Sequence, residues 1–225
     1  CDLKNVIVID HHAEHIELIN NYKNAKPIIK DYPSCTKLIY DTFKLENKLN
    51  KNQKLLVKLI DDYDSYTLKL PFSKPLNQVF WSYTGDRVNK FENDFKDGFF
   101  GFNQFQKNAL KIIENKINNF FKDETIHRGD IKIGNTVYNV AGVMVSFSPN
   151  EIAERIIEQY KVDFVLMINM KGKSVYMRRS KTCKLNMGKL AFKLANGGGH
   201  EDAAGGILNE SVINITKLLK PINEK

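Results

Sequence analysis

Three adjacent side chains near the start of the chain, Asp10, His11 and His12, have the chemistry of a metal or phosphate site. They follow the β-branched run Val6–Ile9, which predicts a short parallel strand covered on both faces. Open α/β sheets bind ligands at the carboxyl ends of such strands, and a carboxylate with two imidazoles suits Mn, Fe, Co or Zn. The alternative is a helix N-cap at Asp10 followed by two surface histidines, and the local pattern leaves both interpretations open.

A second acidic group, Asp61, Asp62 and Asp64, closes a predicted helix over Leu55–Asp64. Carboxylates are unfavourable at the negative end of a helix unless a cation offsets them. A bound metal ion would provide that cation. Ordinary acidic residues on a solvated turn are the alternative, and without other evidence the local pattern favours that alternative.

A third candidate lies near the end of the chain, where Gly197, Gly198 and Gly199 precede His200. Consecutive glycines leave backbone N–H groups open to a ligand, so the run predicts a concave nest for phosphate oxygens, with His200 adding a hydrogen bond or a charge. Arg178–Ser180, after a predicted hairpin strand, offers a guanidinium fork suited to phosphate. A plain flexible turn and a solvated arginine pair are the alternatives.

The pattern along the chain predicts where these groups lie. Helices are predicted at 34–43, 55–64 and 104–121, with residues 47–52 as a loop, and from His127 the pattern changes to strands, including a hairpin across Lys171–Lys173. The aromatic residues between Phe72 and Phe102 could stack on bases, although filling a core under short helices is the commoner use. The domain prediction is 1–103, a connecting helix at 104–122, and 123–225.

Composition limits the function classes. The chain has 225 residues, 42% of them hydrophobic, and a net charge of +8 that favours an anionic partner, although solubility alone also explains such a charge. No stretch has the roughly 20 apolar residues of a membrane span, so no membrane partner is expected. The three scattered cysteines, Cys1, Cys35 and Cys183, predict structural thiols in a reducing compartment such as the cytoplasm.

Asp10–His12 after an apolar strand, followed about 190 residues later by Gly197–His200, resembles the DHH phosphoesterase superfamily, in the subgroup with a C-terminal DHH-associated domain. That subgroup includes oligoribonucleases, other nucleases, nucleotide phosphatases and cyclic-dinucleotide phosphodiesterases. The resemblance implies an α/β fold: the C-terminal part of a doubly wound parallel-sheet DHH domain, then a smaller α/β domain with a mixed sheet. It also implies that a substrate lies in a cleft between the two domains.

The resemblance also implies roles for individual residues. His11 would bind a catalytic metal, usually Mn²⁺ although other divalent ions are possible, and Asp10 would orient that ligand. His12 would contact the scissile phosphate, and Asp62 or Asp64 would be a second metal ligand, with the alignment ambiguous by two residues. The implied substrate-binding groups of the second domain are Arg179, Ser180, Gly197, Gly198, Gly199 and His200.

One departure from the family matters. Members carry an Asp-x-Asp motif and a bridging aspartate on strands before the DHH strand, and this chain begins at that strand, so an upstream segment is expected to complete the metal site. The expected function is metal-dependent hydrolysis of short oligonucleotides or nucleotide phosphates. The alternatives are a non-catalytic nucleotide-binding remnant or one part of a split enzyme, and a polyphosphate or pyrophosphate hydrolase. A homodimer is one oligomeric state that the sequence allows.

Overall fold

The computed structural model describes residues 6–21 and 24–222. They form two compact units that divide after residue 113, inside one long helix, α5 (Gln104–Asp123). That helix is the one predicted at 104–121, and both units mix helices with strands. The predicted α/β fold class is therefore confirmed.

The first unit contains a parallel pair of strands, β1 (Val6–Asp10) and β2 (Ala25–Ile29). β2 includes Pro27, and a proline without an N–H is tolerated where a strand has a free edge. Among the described residues each of these strands has one neighbour, and Ile7 exposes 49% of its surface. The prediction that β1 is covered on both faces is therefore not met by the described residues.

Helices make up the rest of the first unit. Their bounds are α1 (Cys35–Thr42), α2 (Lys51–Asp64), α3 (Ser73–Ser82) and α4 (Arg87–Phe95), with 3₁₀-helices at Ala13–Asn21 and Leu45–Asn47.

The start of α2 corrects the predicted loop at 47–52. The Asn50 side chain accepts from the backbone N–H of Gln53 at 2.9 Å, and the Gln53 side chain accepts from the backbone N–H of Asn50 at 3.0 Å. This capping box satisfies two backbone groups and begins the helix at Lys51, four residues earlier than the apolar pattern indicates.

The aromatic segment mostly fills the core of the first unit. Tyr83, Phe95 and Phe99 are buried and pack with Leu59, Leu76 and Val79 between the helices. This confirms for those three rings the commoner of the two predicted uses. Phe72, Trp81 and Phe100 remain exposed.

The second unit is built on a seven-stranded mixed sheet. The bounds of its elements are β3 (His127–Ile133), β4 (Thr136–Met144), α6 (Pro149–Tyr160), β5 (Phe164–Asn169), β6 (Ser174–Arg179), α7 (Met187–Ala195), β7 (Gly198–Gly199), β8 (Ala203–Ile207), α8 (Glu210–Thr216) and β9 (Lys220–Pro221). The strand order is β7-β8-β6-β5-β4-β3-β9. β4 and β5 run parallel and are joined by a helix, whereas the other neighbours are antiparallel, including the predicted hairpin β5–β6.

Both faces of this sheet are covered. Phe164 and Leu166 of β5 pack with residues of α7 and α8, whereas Val165 and Met167 pack with α6 and with Phe120 from the end of α5. The alternation follows from the two-residue period of a strand. A strand buried on both faces is a continuous apolar run, which is why this segment was predictable as a strand.

Two of the cysteines, Cys35 and Cys183, are free thiols, and burial raises the pKa of each, as fits structural residues. Cys1 lies outside the described residues. None of the described helices combines the length and the apolar character needed to cross a membrane.

Tyr83 lies in a hydrogen-bond network with Asp94 and Gln106. Its hydroxyl donates to Asp94 at 2.5 Å, and Gln106 donates to both groups. Burial, and then the hydrogen bond to Asp94, raises the pKa of Tyr83 to about 12, so the fold favours the neutral phenol. We expect Tyr83→Phe to lower the free energy of unfolding at pH 8 by about 2 kcal/mol, because a hydrogen bond to a charged acceptor is lost.

The difference between wild type and Tyr83→Phe should shrink by about 1 kcal/mol between pH 9 and pH 11, because Tyr83 ionises in the unfolded chain near pH 10 but in the folded chain only at higher pH. Urea denaturation of both proteins across this pH range measures it. The other tyrosines are common to both and cancel. A difference that does not change with pH would contradict this account.

Candidate active site

Asp10 holds two imidazoles at the carboxyl end of β1. Its Oδ1 accepts from the backbone N–H of His12 at 3.1 Å and lies 2.6 Å from His12 Nδ1, and its Oδ2 lies 2.5 Å from His15 Nδ1. Burial raises the pKa of Asp10, but the hydrogen bonds of His15 and His12 outweigh it and hold that pKa well below its usual range. A carboxylate that stays charged fixes the orientation of both rings.

His15 is the residue that the sequence analysis missed. The backbone N–H of His15 donates to the carbonyl of His12 at 3.1 Å, as in a 3₁₀-turn. Residues three apart eclipse each other in a 3₁₀-helix, so both imidazoles come to the same carboxylate. The spacing His-x-x-His after Asp10 is the signal that could have indicated it. The carboxylate that the resemblance assigns to orienting His11 thus contacts His12 and His15.

His11 lies next to the end of α2. Its Nε2 is 3.5 Å from Asp64 Oδ2, and the His11 side chain is 8% exposed against 44% for Asp64. The sequence separation of the two residues gives no sign of this contact. It joins the strand end that carries the DHH residues to the second acidic cluster.

The other two acidic residues of that cluster are bound within the fold. Asp62 accepts hydrogen bonds from the hydroxyls of Thr67 and Ser73 and from the backbone N–H groups of Lys69 and Leu70, at 2.5 to 3.0 Å. Burial raises the pKa of Asp62, but these four donors lower it to about 2. Asp61 accepts from the hydroxyl of Ser34 at 2.6 Å.

These contacts help to decide whether Asp62 or Asp64 is the better candidate for the second metal ligand. A carboxylate already surrounded by four donors would have to lose them to bind a metal, whereas Asp64 faces His11 and is half-exposed. A nitrogen and an oxygen 3.5 Å apart fit two ligands of one divalent ion, each roughly 2 Å from it. Asp10, His12 and His15 also offer ligand atoms within 4.8 Å of one another. The imidazole and carboxylate ligands of the first unit therefore fit a borderline divalent metal ion.

In the second unit, the Arg179 guanidinium is already paired. Its Nε donates to Asp202 at 2.6 Å and its Nη2 donates to Glu201 at 3.3 Å, and its side chain is 15% exposed. Ser180 lies 3.1 Å from the Thr182 hydroxyl and accepts from the backbone of Cys183. Arg179 therefore ties β6 to the segment that follows the glycine run, and an incoming anion would compete with two carboxylates.

Arg178 points to the other face of the sheet. It is 5% exposed and its Nη2 donates to Asn150 of α6 at 2.9 Å. Successive side chains of a strand alternate between faces, so Arg178 and Arg179 do not form the pair that their adjacency suggests.

The glycine run forms an edge strand instead of an open loop. Gly198 and Gly199 pair with Gly205 and Ala204 as β7. A side chain at Gly197 would come within 1.9 Å of the Gly205 carbonyl, and Gly199 has a φ of +138°. Packing and backbone conformation thus explain two of the three glycines. Gly198 is different, because a Cβ there would meet no described atom within 4 Å.

His200 is exposed at the end of β7, and its carbonyl accepts the N–H of Gly188 at 3.1 Å. The N–H of Met187 likewise donates to Glu201 at 2.9 Å. The first N–H groups of α7 are therefore bonded to the segment that carries His200.

A known protein-domain family matches the C-terminal part of the second unit. Residues 148–225 match the DHHA1 domain family. The DHH-associated domain that the resemblance implied is thereby confirmed over these residues. No curated protein matches the chain.

Solved structures also match the chain at low sequence identity. A pGpG-specific phosphodiesterase from Vibrio cholerae is 14% identical, with a TM-score of 0.54, covering 94% of this chain and 76% of that one. An uncharacterized protein from Helicobacter pylori (15%, TM-score 0.32, covering 93% and 73%) and an exopolyphosphatase-related protein from Bacteroides fragilis (13%, TM-score 0.42, covering 94% and 62%) also match.

Asp62→Asn should mainly lower the stability of the fold, whereas Asp64→Asn should mainly weaken metal binding. We expect Asp62→Asn to lower the free energy of unfolding by about 2 to 3 kcal/mol, because a charged acceptor of four hydrogen bonds is replaced by a group that accepts fewer. Asp64→Asn should change stability by less than about 0.5 kcal/mol but weaken Mn²⁺ binding at least roughly tenfold. Urea denaturation and calorimetric Mn²⁺ titration measure the two properties. Loss of Mn²⁺ binding in a folded Asp62→Asn variant, with Asp64→Asn unaffected, would reverse the assignment.

Alanine variants of Gly197 and Gly198 form a second matched pair. Gly197→Ala should destabilise the second unit by about 1 to 3 kcal/mol, because the methyl group overlaps the Gly205 carbonyl. Gly198→Ala should stay within about 0.5 kcal/mol of wild type, since its Cβ meets open space. Thermal denaturation compares them, and equal losses in both variants would show that the edge strand is packed differently.

Proposed function

We propose that this chain, whose C-terminal unit carries a DHHA1 domain, takes part in metal-dependent hydrolysis of phosphoesters in short oligonucleotides or nucleotide phosphates. The observation that carries the proposal is the contact of His11 with Asp64, 3.5 Å apart, beside the Asp10–His12–His15 network. A nitrogen–oxygen ligand pair next to imidazoles that a carboxylate orients is suited to a metal ion and a phosphate together.

His11 and Asp64 would hold the ion, with Mn²⁺ as the expected metal. A bound divalent ion supplies Lewis acidity and lowers the pKa of water at that position. His12 has its Nδ1 hydrogen-bonded to Asp10, so Nε2 is the nitrogen that would donate to a phosphoryl oxygen. That role requires the imidazolium form, whose charge the Asp10 carboxylate would offset, and preorganised donors of this kind stabilise the charge that develops on the phosphoryl group.

The second unit would bind the substrate phosphate through Arg179, Ser180, His200 and the backbone at Gly197–Gly199. Gly198 gives the strongest support, because no described packing contact requires a glycine there. The ion pairs of Arg179 with Asp202 and Glu201 imply that substrate phosphate replaces a carboxylate partner on binding. The proposal that one substrate contacts both units rests on the resemblance alone.

The assay uses the full-length protein. A 5′-phosphorylated dinucleotide and tripolyphosphate are each incubated with Mn²⁺, and the products are separated by chromatography.

We expect mononucleotide release that falls at least roughly 100-fold in His11→Ala and in Asp64→Asn, because each removes a metal ligand. His12→Ala should lower kcat with Mn²⁺ affinity unchanged. His127→Ala, a histidine of β3 outside the site, is the matched control and should retain activity. Cleavage of tripolyphosphate alone would favour the polyphosphate hydrolase, and nucleotide binding without turnover of either compound would favour the non-catalytic remnant.

A further inference from the structure

A cavity of about 300 Å³ opens in the first unit next to Asp64. It lies between α2, α3 and α4, and Asp64 is part of its wall. A cavity of this volume is at the lower limit of small-molecule sites, so it suits one ring system better than a whole dinucleotide. The other main lining residues are Ile60, Tyr63, Leu76, Asn77, Phe80 and Phe91.

Three aromatic rings, those of Tyr63, Phe80 and Phe91, form part of the wall of this cavity. Phe80 and Phe91 are in edge-to-face contact, with ring centroids 5.4 Å apart. The Arg87 guanidinium lies over both Phe80 and Trp81, 5.6 and 4.4 Å from the ring centroids, and thereby restrains the Phe80 ring from outside the cavity. Rigid aromatic faces are the surfaces on which unstacked bases bind.

Asn77 is a polar residue of this wall. It is half-buried, and within the part of the chain that the structure describes its side-chain amide makes no hydrogen bond. By contrast, the Ser73 hydroxyl in the same wall is bonded to Asp62. An amide offers one acceptor and two donor hydrogens, which matches the adjacent donors and acceptors on the edge of a base.

We propose that this cavity binds the nucleobase of the substrate, with the base against Tyr63, Phe80 and Phe91 and its edge hydrogen-bonded to Asn77. The inference rests on the proposed function, because Asp64 belongs to both the cavity and the candidate metal pair. A base held here places its attached phosphate on the side of the candidate metal ligands. Asn77 would thus be a residue that determines specificity for nucleotides over phosphates that lack a base.

The test measures nucleoside binding without metal or turnover. Adenosine, guanosine, cytidine and uridine are each titrated in EDTA, with ribose 5-phosphate as the compound that lacks a base. Binding is followed by saturation-transfer NMR and by the fluorescence of Trp81, the single tryptophan of the chain, which contacts Phe80 at 5.5 Å. We expect at least one nucleoside to bind and ribose 5-phosphate not to bind.

Asn77→Ala should weaken nucleoside binding roughly fivefold to tenfold, as expected for one lost hydrogen bond. Asn93→Ala is the matched control, because Asn93 is exposed on α4 and lines a different cavity. The proposal is overturned if no nucleoside binds to the folded protein, or if both variants bind as wild type does.

Base binding in the cavity and phosphoester hydrolysis can be rejected separately. Nucleoside binding that depends on Asn77, without hydrolysis of any phosphoester, would support the cavity and reject the hydrolase. Hydrolysis with the same KM for a dinucleotide and for its abasic analogue would support the hydrolase and reject the base site.

Discussion

A buried carboxylate must be supplied with donors, and the way Asp62 obtains them organises the first unit. Two hydroxyls and two backbone N–H groups from residues 67–73 converge on it, which ends α2 and fixes the chain that leads into α3. Because Asp62 is thus committed to the fold, Asp64 is the carboxylate left to face His11. The candidate metal pair and the cavity beside it both depend on that arrangement.

A second constraint acts at the end of β1. One charged aspartate can orient two imidazoles only if the chain turns tightly enough to bring both to its two oxygens, and the 3₁₀-turn from His12 to His15 does so. His11 lies between these residues in sequence but contacts α2 instead. Adjacent histidines therefore have different partners, which is the arrangement that separate metal and phosphate roles require.

In the second unit, close packing accounts for most of the small residues. Gly197 and Gly199 allow β7 to lie against β8, and the Arg179 ion pairs hold the segment that follows. Of the three glycines from which a phosphate nest was predicted, Gly198 is the one for which the described residues show no packing contact that requires a glycine. An alternating strand also separates Arg178 from Arg179, so adjacency in sequence is a poor guide to a shared site.

The sequence by itself determined the α/β class, the long helix α5 and the β5–β6 hairpin, because hydrophobic period and turn residues act over short distances, and its two motifs indicated the DHH-associated domain. It did not determine the role of Asp62 as against Asp64, the use of His15, or the exposed position of Gly198. Those depend on which groups meet across the fold, since hydrogen bonds and excluded volume are decided by atoms far apart in the chain. Only the tertiary structure brings those atoms together.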